Sequence, residues 1–251
     1  MSMTVKQETF ASLMSSFSYH YNLPQVFEDF LTISMCVVTQ IPGEGKSHYE
    51  EQYLQTIEKY KDDEQRHQFP KLFAALILEM EDRVDSSQGN DVLGDFYMQG
   101  FGNKKAGQFF TPWHICDFMA EINNAEPMEG KILRILDPCC GSGRMVLASA
   151  KKLGPQHEYY AIDLDHTCVK MTALNLFFNG VFNSEVMWAD ALMSDDFRLS
   201  YKISLFPMGI FRIEQREQSK LWHLNRNSFQ AATNAKASEQ SKPAAPQLKL
   251  F

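Results

Sequence analysis

The central third of the chain constrains the fold most, because short apolar runs alternate there with helical periods. The pattern predicts, in order, a strand at Ile132 to Leu136, a helix at Met145 to Leu153, a strand at Tyr159 to Ile162 and a helix at His166 to Phe178. Further apolar runs predict a third strand at Glu185 to Trp188 and a fourth at Tyr201 to Phe206. Strands joined by helices in this order form parallel β-α-β units. The sequence therefore predicts an α/β fold with a doubly wound parallel sheet.

The flanking segments predict two further regions. Apolar residues at helical spacing from Gln25 to about Met98 predict a helical domain over residues 1–100, and the sheet domain follows over 101–224. Residues 225–251 are rich in Asn, Gln, Ala, Ser, Lys and Pro, which is typical of a flexible tail. Since a βαβ unit needs roughly 30 residues, the sheet is expected to be truncated after the fourth strand. That strand is expected to be an exposed edge unless a helix at Glu214 to Asn225 or another chain covers it.

Composition limits the classes of protein and partner. The hydrophobic fraction of 44% supports a packed core. No apolar run approaches the ~20 residues of a membrane span, and the first residues lack a signal core, so we expect a cytoplasmic protein without a membrane partner. The net charge of −7 argues against a general nucleic-acid coat, although residues 201–251 carry 8 basic and 3 acidic side chains. The five cysteines are expected to be reduced thiols, and their spacing suggests no metal site.

A glycine-rich turn at Asp137 to Gly143 lies between the first predicted strand and its helix. Two glycines spaced G-x-G at such a turn bring backbone amides close to a ligand at a helix N-terminus. Asp163 follows at the end of the second strand, where a carboxylate can accept hydrogen bonds from both hydroxyls of a ribose. Val146 stands where a dinucleotide fingerprint has its third glycine, which favours S-adenosylmethionine. A tight turn beside a solvated aspartate is the alternative interpretation.

A second motif, Gly107 to Pro112, precedes an apolar periodic segment. Thr111 is a suitable N-cap and Pro112 a suitable first helical residue, so a helix start is the simplest interpretation. The apolar residues of that periodic segment are Ile115, Phe118, Met119 and Ile122.

Taken together, the motifs resemble, in the same order, those of N6-adenine DNA methyltransferases of the type I modification-subunit kind. The resemblance spans roughly Asp91 to Leu192 and is carried by Gln108 to Pro112, Asp137 to Gly143, Ala161 to Asp165, Ala173 to Leu176 and Ala189 to Leu192. It implies a Rossmann-like methyltransferase sheet, S-adenosylmethionine as cofactor, DNA as substrate and a separate specificity subunit as partner.

The resemblance also implies a role for individual residues. Phe110, Thr111 and Pro112 are expected to pack against the methionine end of the cofactor, with Gly141 to Gly143 passing under it. Asp163 is expected to hold the ribose, and Asp190 to accept from the adenine amino group. The complete expected set is Gln108, Phe109, Phe110, Thr111, Pro112, Asp137, Cys139, Gly141, Ser142, Gly143, Asp163, Asp190, Ala191 and Leu192.

Catalysis in this family is expected to use Asn or Asp, two prolines and an aromatic residue after the fourth strand. The nearest counterpart here is Ser204 to Met208, which makes Ser204, Phe206 and Pro207 the candidate catalytic residues. The departure from the pattern leaves a second function open, that of a catalytically impaired, S-adenosylmethionine-binding accessory subunit docked on the replication sliding clamp. A methyltransferase acting on RNA or a small molecule is a third alternative, although it leaves Gln108 to Pro112 unexplained.

Two C-terminal features suggest partners. Residues Gln247 to Phe251 resemble the Q-L-x-L-F peptide with which bacterial proteins bind the replication sliding clamp, with Gln247, Leu248, Leu250 and Phe251 as contacts. Basic residues also surround Trp222, which would allow phosphate contacts and base stacking on DNA. The alternative for Trp222 is packing onto the sheet.

Overall fold

The computed structural model describes residues 8–40, 47–84, 89–102, 108–123 and 131–240. Its helices are α1 (Phe10–Ser16), α2 (Leu23–Val38), α3 (Ser47–Ile57), α4 (Asp63–Asp82), α5 (Val92–Tyr97), α6 (Trp113–Asn123), α7 (Arg144–Leu153), α8 (His166–Phe178) and α9 (Lys220–Gln240). Its strands are β1 (Thr39–Gln40), β2 (Arg134–Asp137), β3 (Glu158–Asp163), β4 (Ser184–Trp188), β5 (Leu199–Leu205) and β6 (Met208–Ile213).

The strands form one sheet in the order β1-β6-β5-β4-β3-β2. Strands β2, β3 and β4 are parallel neighbours, and β1 is parallel to β6. Strand β5 is antiparallel to both β4 and β6, so it runs against the other described strands. The C-terminal ends of β2, β3 and β4 therefore meet at one edge of the sheet, where α/β proteins commonly bind ligands.

Helices cover both faces of the sheet. On one face, β3 and β4 pack against α9, with Tyr160, Ile162, Met187 and Ala189 facing Leu221 and Trp222. On the other face, α7, α8 and the helices before residue 100 share a single apolar cluster with the sheet. The predicted boundary between residues 100 and 101 thus does not coincide with a break in the core.

The predicted α/β class is confirmed, and the predicted central elements match the observed ones to within about two residues. The prediction that every strand runs parallel is wrong at β5. Leu205 pairs with Met208, which leaves a two-residue turn at Phe206 and Pro207, and so short a connection can join only antiparallel neighbours. Strand β6 covers the edge that was expected to be exposed after the fourth strand.

The prediction of a flexible tail from residue 225 is wrong as far as Gln240, because α9 continues to that residue. Trp222 of this helix is 3% exposed, and Arg216 and Arg226 lie over its ring at 5.1 and 5.2 Å. The alternative in which Trp222 packs onto the sheet is therefore correct, and its ring does not serve as a platform for a DNA base.

The large apolar residues of α6 do not form its buried face. Ile115, Phe118, Met119 and Ile122 are exposed, whereas the smaller Cys116 and Ala120 pack against α7. Small residues on the packed face let two helices approach closely, which explains why the bulkier stripe was left outside.

No helix in the described part of the chain is long and apolar enough to cross a membrane. Gln247, Leu248, Leu250 and Phe251 lie outside the described residues. Binding to the sliding clamp through this peptide stays a prediction.

Candidate functional site

The glycine loop connects β2 to α7 in a conformation that only glycine adopts easily. Gly141 has φ +58° and Gly143 has φ +88°, both in the left-handed region. A Cβ at Gly141 would lie 2.8 Å from Cδ1 of Phe110, so the ring packs directly against the loop backbone. Backbone hydrogen bonds fix the turn, with Gly143 N donating to Cys140 O at 2.8 Å and Cys140 N donating to Ile162 O at 3.0 Å.

Asp163 ends β3 and holds the glycine loop from the side. Its carboxylate accepts a hydrogen bond from Gly141 N at 2.8 Å and another from Asp165 N at 2.9 Å. A carboxylate has about four acceptor positions, so capacity for two hydroxyl donors remains. Burial raises the pKa of Asp163, while the two backbone donors act in the opposite direction.

Two further carboxylates lie at the same sheet edge. Asp137 ends β2 and accepts from Cys139 N at 3.1 Å, and burial raises its pKa. Asp190 follows β4 and accepts from Leu192 N at 2.9 Å. It borders an open depression of about 660 Å³ in which Leu192 is exposed. The structure thus brings the three predicted aspartates together at the C-terminal ends of β2, β3 and β4, around Cys139. We call this acidic region the cleft; it suits a ligand that offers hydroxyls, an amino group and positive charge.

Segment 108–112 forms a wall of this cleft. Gln108 accepts from the Tyr97 hydroxyl at 2.7 Å and donates to the Asp165 carboxylate at 2.9 Å. The Phe110 ring is buried and stacks on Tyr97 with centroids 5.4 Å apart. Phe110 therefore supports the glycine loop, while Phe109 and Thr111 are exposed near the cleft.

Ser142 does not face the cleft. Its side chain is buried, and its hydroxyl donates to the carboxylate of Asp91. Sequence reasoning missed Asp91 and its second partner, Arg144. One signal was available, because a cation in the first turn of α7 opposes the helix dipole and so suggests a role beyond helix stability.

The cysteines of the loop differ in exposure. Cys139 is exposed at the rim, and partial desolvation raises the pKa of its thiol. Cys140 is buried, and burial raises the pKa of its thiol well above the usual value. Within the described ranges, no group of three His, Cys, Asp or Glu side chains is arranged to hold a metal ion.

The candidate catalytic residues lie at the opposite end of the sheet. Ile203 pairs with Ser184 at the start of β4, so the turn that follows, with Ser204, Phe206 and Pro207, projects beyond that end. Asp190 lies past the other end of β4, and five strand residues span about 16 Å. These three candidates therefore lie at the other end of the sheet from the residues that are predicted to hold the cofactor.

A separate cavity of about 450 Å³ lies beside the N-terminus of α8. His166 lines it, stacked on Trp188 with centroids 4.3 Å apart and with its Nε2 3.4 Å from the Tyr201 hydroxyl. Burial lowers the pKa of His166 to about 4, and the positive charges of Lys170 and Arg212 act in the same direction, while Glu28 and Asp165 oppose them. His166 is thus neutral near pH 7.

We expect this histidine to give the protein an acid-sensitive stability. In the unfolded chain the histidine has a pKa of about 6.5, whereas in the folded protein it is about 4. Between pH 6.5 and pH 4 the imidazole therefore binds a proton in the unfolded state but not in the folded state. The free energy of unfolding should then fall as the pH falls, by up to about 1.4 kcal/mol per pH unit. Urea unfolding of the wild type and His166→Gln at pH 7 and pH 5.5 checks this, and equal pH slopes for the two proteins would contradict it.

Comparison with known proteins places the site in a family context. The family model "N-6 DNA Methylase" matches residues 88–209, which include the cleft. The type I restriction enzyme MpnII methylase subunit of Mycoplasma pneumoniae is 28% identical over 117 residues, covering 44% of this chain and 21% of that protein. The type II restriction enzyme and methyltransferase RM.BcgI of Heyndrickxia coagulans is 24% identical over 180 residues, covering 64% and 28%. The chain thus spans between a fifth and a third of the length of these curated relatives.

A solved structure also resembles the chain. The type I restriction-modification system methyltransferase subunit from Streptococcus thermophilus is 17% identical, with a TM-score of 0.38 over 74% of this chain and 57% of that one. A score of this size does not establish a shared fold.

Proposed function

Because residues 88–209 belong to the N-6 DNA methylase family, we propose that this chain forms the S-adenosylmethionine-binding part of a DNA adenine-N6 methyltransferase. The observation that carries the proposal is the contact between Asp163 and the glycine loop. The carboxylate at the end of β3 accepts from Gly141 N and keeps acceptor capacity towards the cleft. This arrangement suits a ribose held beside the glycine loop, at the N-terminus of α7.

The acidic groups of the cleft suit S-adenosylmethionine. Asp163 would accept from the ribose hydroxyls, Asp190 would accept from the adenine amino group, and the acidic edge with Asp137 would favour a cationic ligand. Ala191 and Leu192 would line the adenine ring, and Thr111 and Pro112 would lie at the methionine end. When bound, this group supplies an electrophilic methyl for direct transfer to an amine. The chain's own contribution is to bind and orient the donor.

DNA and a specificity subunit are the proposed substrate and partner. The support is the family of the matched residues together with the relatives, which are restriction-modification proteins by name. The acidic charge of the chain, −7, is consistent with a partner providing much of the contact with phosphates.

A second function is favoured by one observation about the sequence. The expected set of Asn or Asp, two prolines and an aromatic residue is not found after the fourth predicted strand, where this chain has Ser204 to Met208. We assign no catalytic role to Ser204, Phe206 or Pro207, because they lie at the far end of the sheet. The second candidate is accordingly a donor-binding accessory subunit whose partner supplies the residues that contact adenine.

Calorimetric titration with S-adenosylmethionine and with its demethylated product tests the cofactor proposal. We expect micromolar dissociation constants for both ligands, because the cleft holds the shared ribose and adenine. Transfer of labelled methyl groups to plasmid DNA, with and without a specificity subunit, then separates the two functions. Transfer by the chain alone would exclude the accessory function, and absence of binding at millimolar ligand would contradict both. Competition by RNA but not by DNA would instead favour an RNA methyltransferase.

A further inference from the structure

One buried carboxylate joins three helices and the glycine loop beside the proposed cofactor cleft. Asp91 is 2% exposed and accepts hydrogen bonds from Gly94 N at 2.7 Å, Asn175 Nδ2 at 2.7 Å, Arg144 Nε at 2.5 Å and the Ser142 hydroxyl. These donors come from α5, α8, the start of α7 and the glycine loop. A buried carboxylate is tolerated only when it is paired and hydrogen-bonded, so this site is fully built around Asp91.

Arg144 extends the same network to the other wall of the cleft. Its side chain is 10% exposed, and its Nη2 donates to Asp95 at 2.6 Å while its Nη1 donates to the carbonyl of Thr111 at 3.3 Å. The guanidinium therefore connects Asp91 with segment 108–112. A cation at the first residue of α7 gains nothing from the helix dipole, and burying it is costly. Helix stability does not explain this residue, whereas its three contacts do.

We infer that Asp91 and Arg144 are positioning residues that set the spacing between the glycine loop and segment 108–112. We call this pair the Asp91–Arg144 clamp. The inference rests on the proposed function in one respect, since both the glycine loop and segment 108–112 border the proposed S-adenosylmethionine cleft. A clamp of fixed geometry holds the loop amides in place before the ligand arrives, which reduces the ordering cost of binding.

Gly94 gives a way to disturb the clamp without removing a charge. A Cβ at this position would overlap both the Asp91 carboxylate and the Ser142 hydroxyl. Position 94 must therefore lack a side chain for the carboxylate to approach the loop. Gly94→Ala is expected to displace Asp91 while keeping every charged group of the network.

The test uses Asp91→Asn, Arg144→Lys and Gly94→Ala in the full chain. Arg144→Lys is the mildest change, because it keeps the charge and loses only the fork of three donors. We expect each variant to bind S-adenosylmethionine at least tenfold more weakly. Hydrogen–deuterium exchange of the ligand-free protein should be at least tenfold faster in a peptide covering residues 138–147 and unchanged in β3.

Glu185 provides a matched control at a distance from the cleft. It is 3% exposed and accepts from Ser200 Oγ at 2.7 Å, Ser219 Oγ at 2.5 Å and Leu221 N at 3.2 Å, joining α9 to the sheet. Glu185→Gln should lower the thermal midpoint as Asp91→Asn does. For Glu185→Gln, the dissociation constant for S-adenosylmethionine and the hydrogen–deuterium exchange of residues 138–147 should stay within twofold of the wild type.

The two readouts separate the clamp from the proposed function. Folded clamp variants that keep both the dissociation constant and the local exchange within twofold of the wild type would overturn the inference. Faster exchange throughout the chain would overturn it as well, because a purely structural role predicts global opening. If the wild type binds no S-adenosylmethionine, the proposed cofactor is wrong, and the exchange in 138–147 alone decides on the clamp.

Discussion

Asp163→Ala is expected to weaken S-adenosylmethionine binding by about 100-fold. Hydrogen bonds to a charged group contribute about 1.5–3 kcal/mol each, and about 1.4 kcal/mol corresponds to a factor of ten in affinity. The variant removes the acceptor for the ribose hydroxyls and also releases Gly141 N, which donates to this carboxylate at 2.8 Å. Calorimetric titration of the wild type and the variant measures the effect.

Glu158→Gln is a control on the same strand, because Glu158 begins β3 at the end away from the cleft and pairs with Lys220 at 2.5 Å and Arg134 at 3.0 Å. It should bind the cofactor as the wild type does. Asp163→Asn keeps an oxygen for Gly141 N and loses the charge, so its loss of affinity should be intermediate. An Asp163→Ala protein that is folded and binds within threefold of the wild type would contradict the assignment.

The raised pKa of Asp163 adds a pH dependence of known sign. The carboxylate must be ionised to accept from two hydroxyls, so affinity should fall as the pH drops towards its pKa. Burial raises that pKa, and the loss should therefore begin at a higher pH than for an ordinary aspartate. The same shift favours the protonated, ligand-free protein, so this group contributes stability at low pH that is lost as the pH rises through the folded-state pKa.

Gly141→Ala is expected to destabilise the protein by about 2–5 kcal/mol and to remove measurable cofactor binding. An L-residue at φ +58° costs about 1–2 kcal/mol, and the Cβ would lie 2.8 Å from Phe110 Cδ1, where relief of an overpacked contact costs about 1–3 kcal/mol. Urea unfolding measures the change in free energy, and titration measures the change in affinity.

Two other glycines separate the backbone cost of Gly141→Ala from the cost of its contact with Phe110. Gly180 has φ +69°, and a Cβ added there would lie 3.8 Å from Phe182 Cε2, which is an ordinary van der Waals contact. Gly180→Ala should therefore show the backbone cost alone. A Cβ added at Gly100 would meet no atom within 4 Å, and this residue has no positive φ. Gly100→Ala should therefore be close to neutral. Equal losses at positions 141 and 180 would show that the Phe110 contact does not constrain the loop.

Local pattern in the sequence was sufficient for the central elements. The boundaries of α7, β3 and α8 were predicted closely because periodicity and glycine turns are properties of neighbouring residues. Of the three cleft aspartates, Asp163 was predicted from its place at the end of a strand, and Asp137 and Asp190 were implied by the family resemblance. Each follows a parallel strand, and parallel strands end at the same edge of a sheet.

Strand direction and side-chain facing were harder to predict. A run such as Tyr201 to Phe206 has the same apolar signal whether it pairs parallel or antiparallel, and only the partner strand decides. Helix α6 has a face of large apolar residues and a face of small ones. Its small residues, Cys116 and Ala120, are the buried ones because α7 packs closely against them. The predicted tail failed because polar composition does not exclude a helix whose first turns are anchored by Leu221 and Trp222.

The sequence by itself thus determined the order of strands and helices, the left-handed glycines and the carboxylates at the ends of β2, β3 and β4. Only the tertiary structure decided that Ser142 turns inward to Asp91 and that Arg144 contacts both Asp91 and segment 108–112. It also decided that Ser204, Phe206 and Pro207 lie at the end of the sheet opposite to the cleft. The physical reason is sequence separation. Asp91 meets Ser142 across 51 residues, and contacts of that kind follow from how whole elements pack.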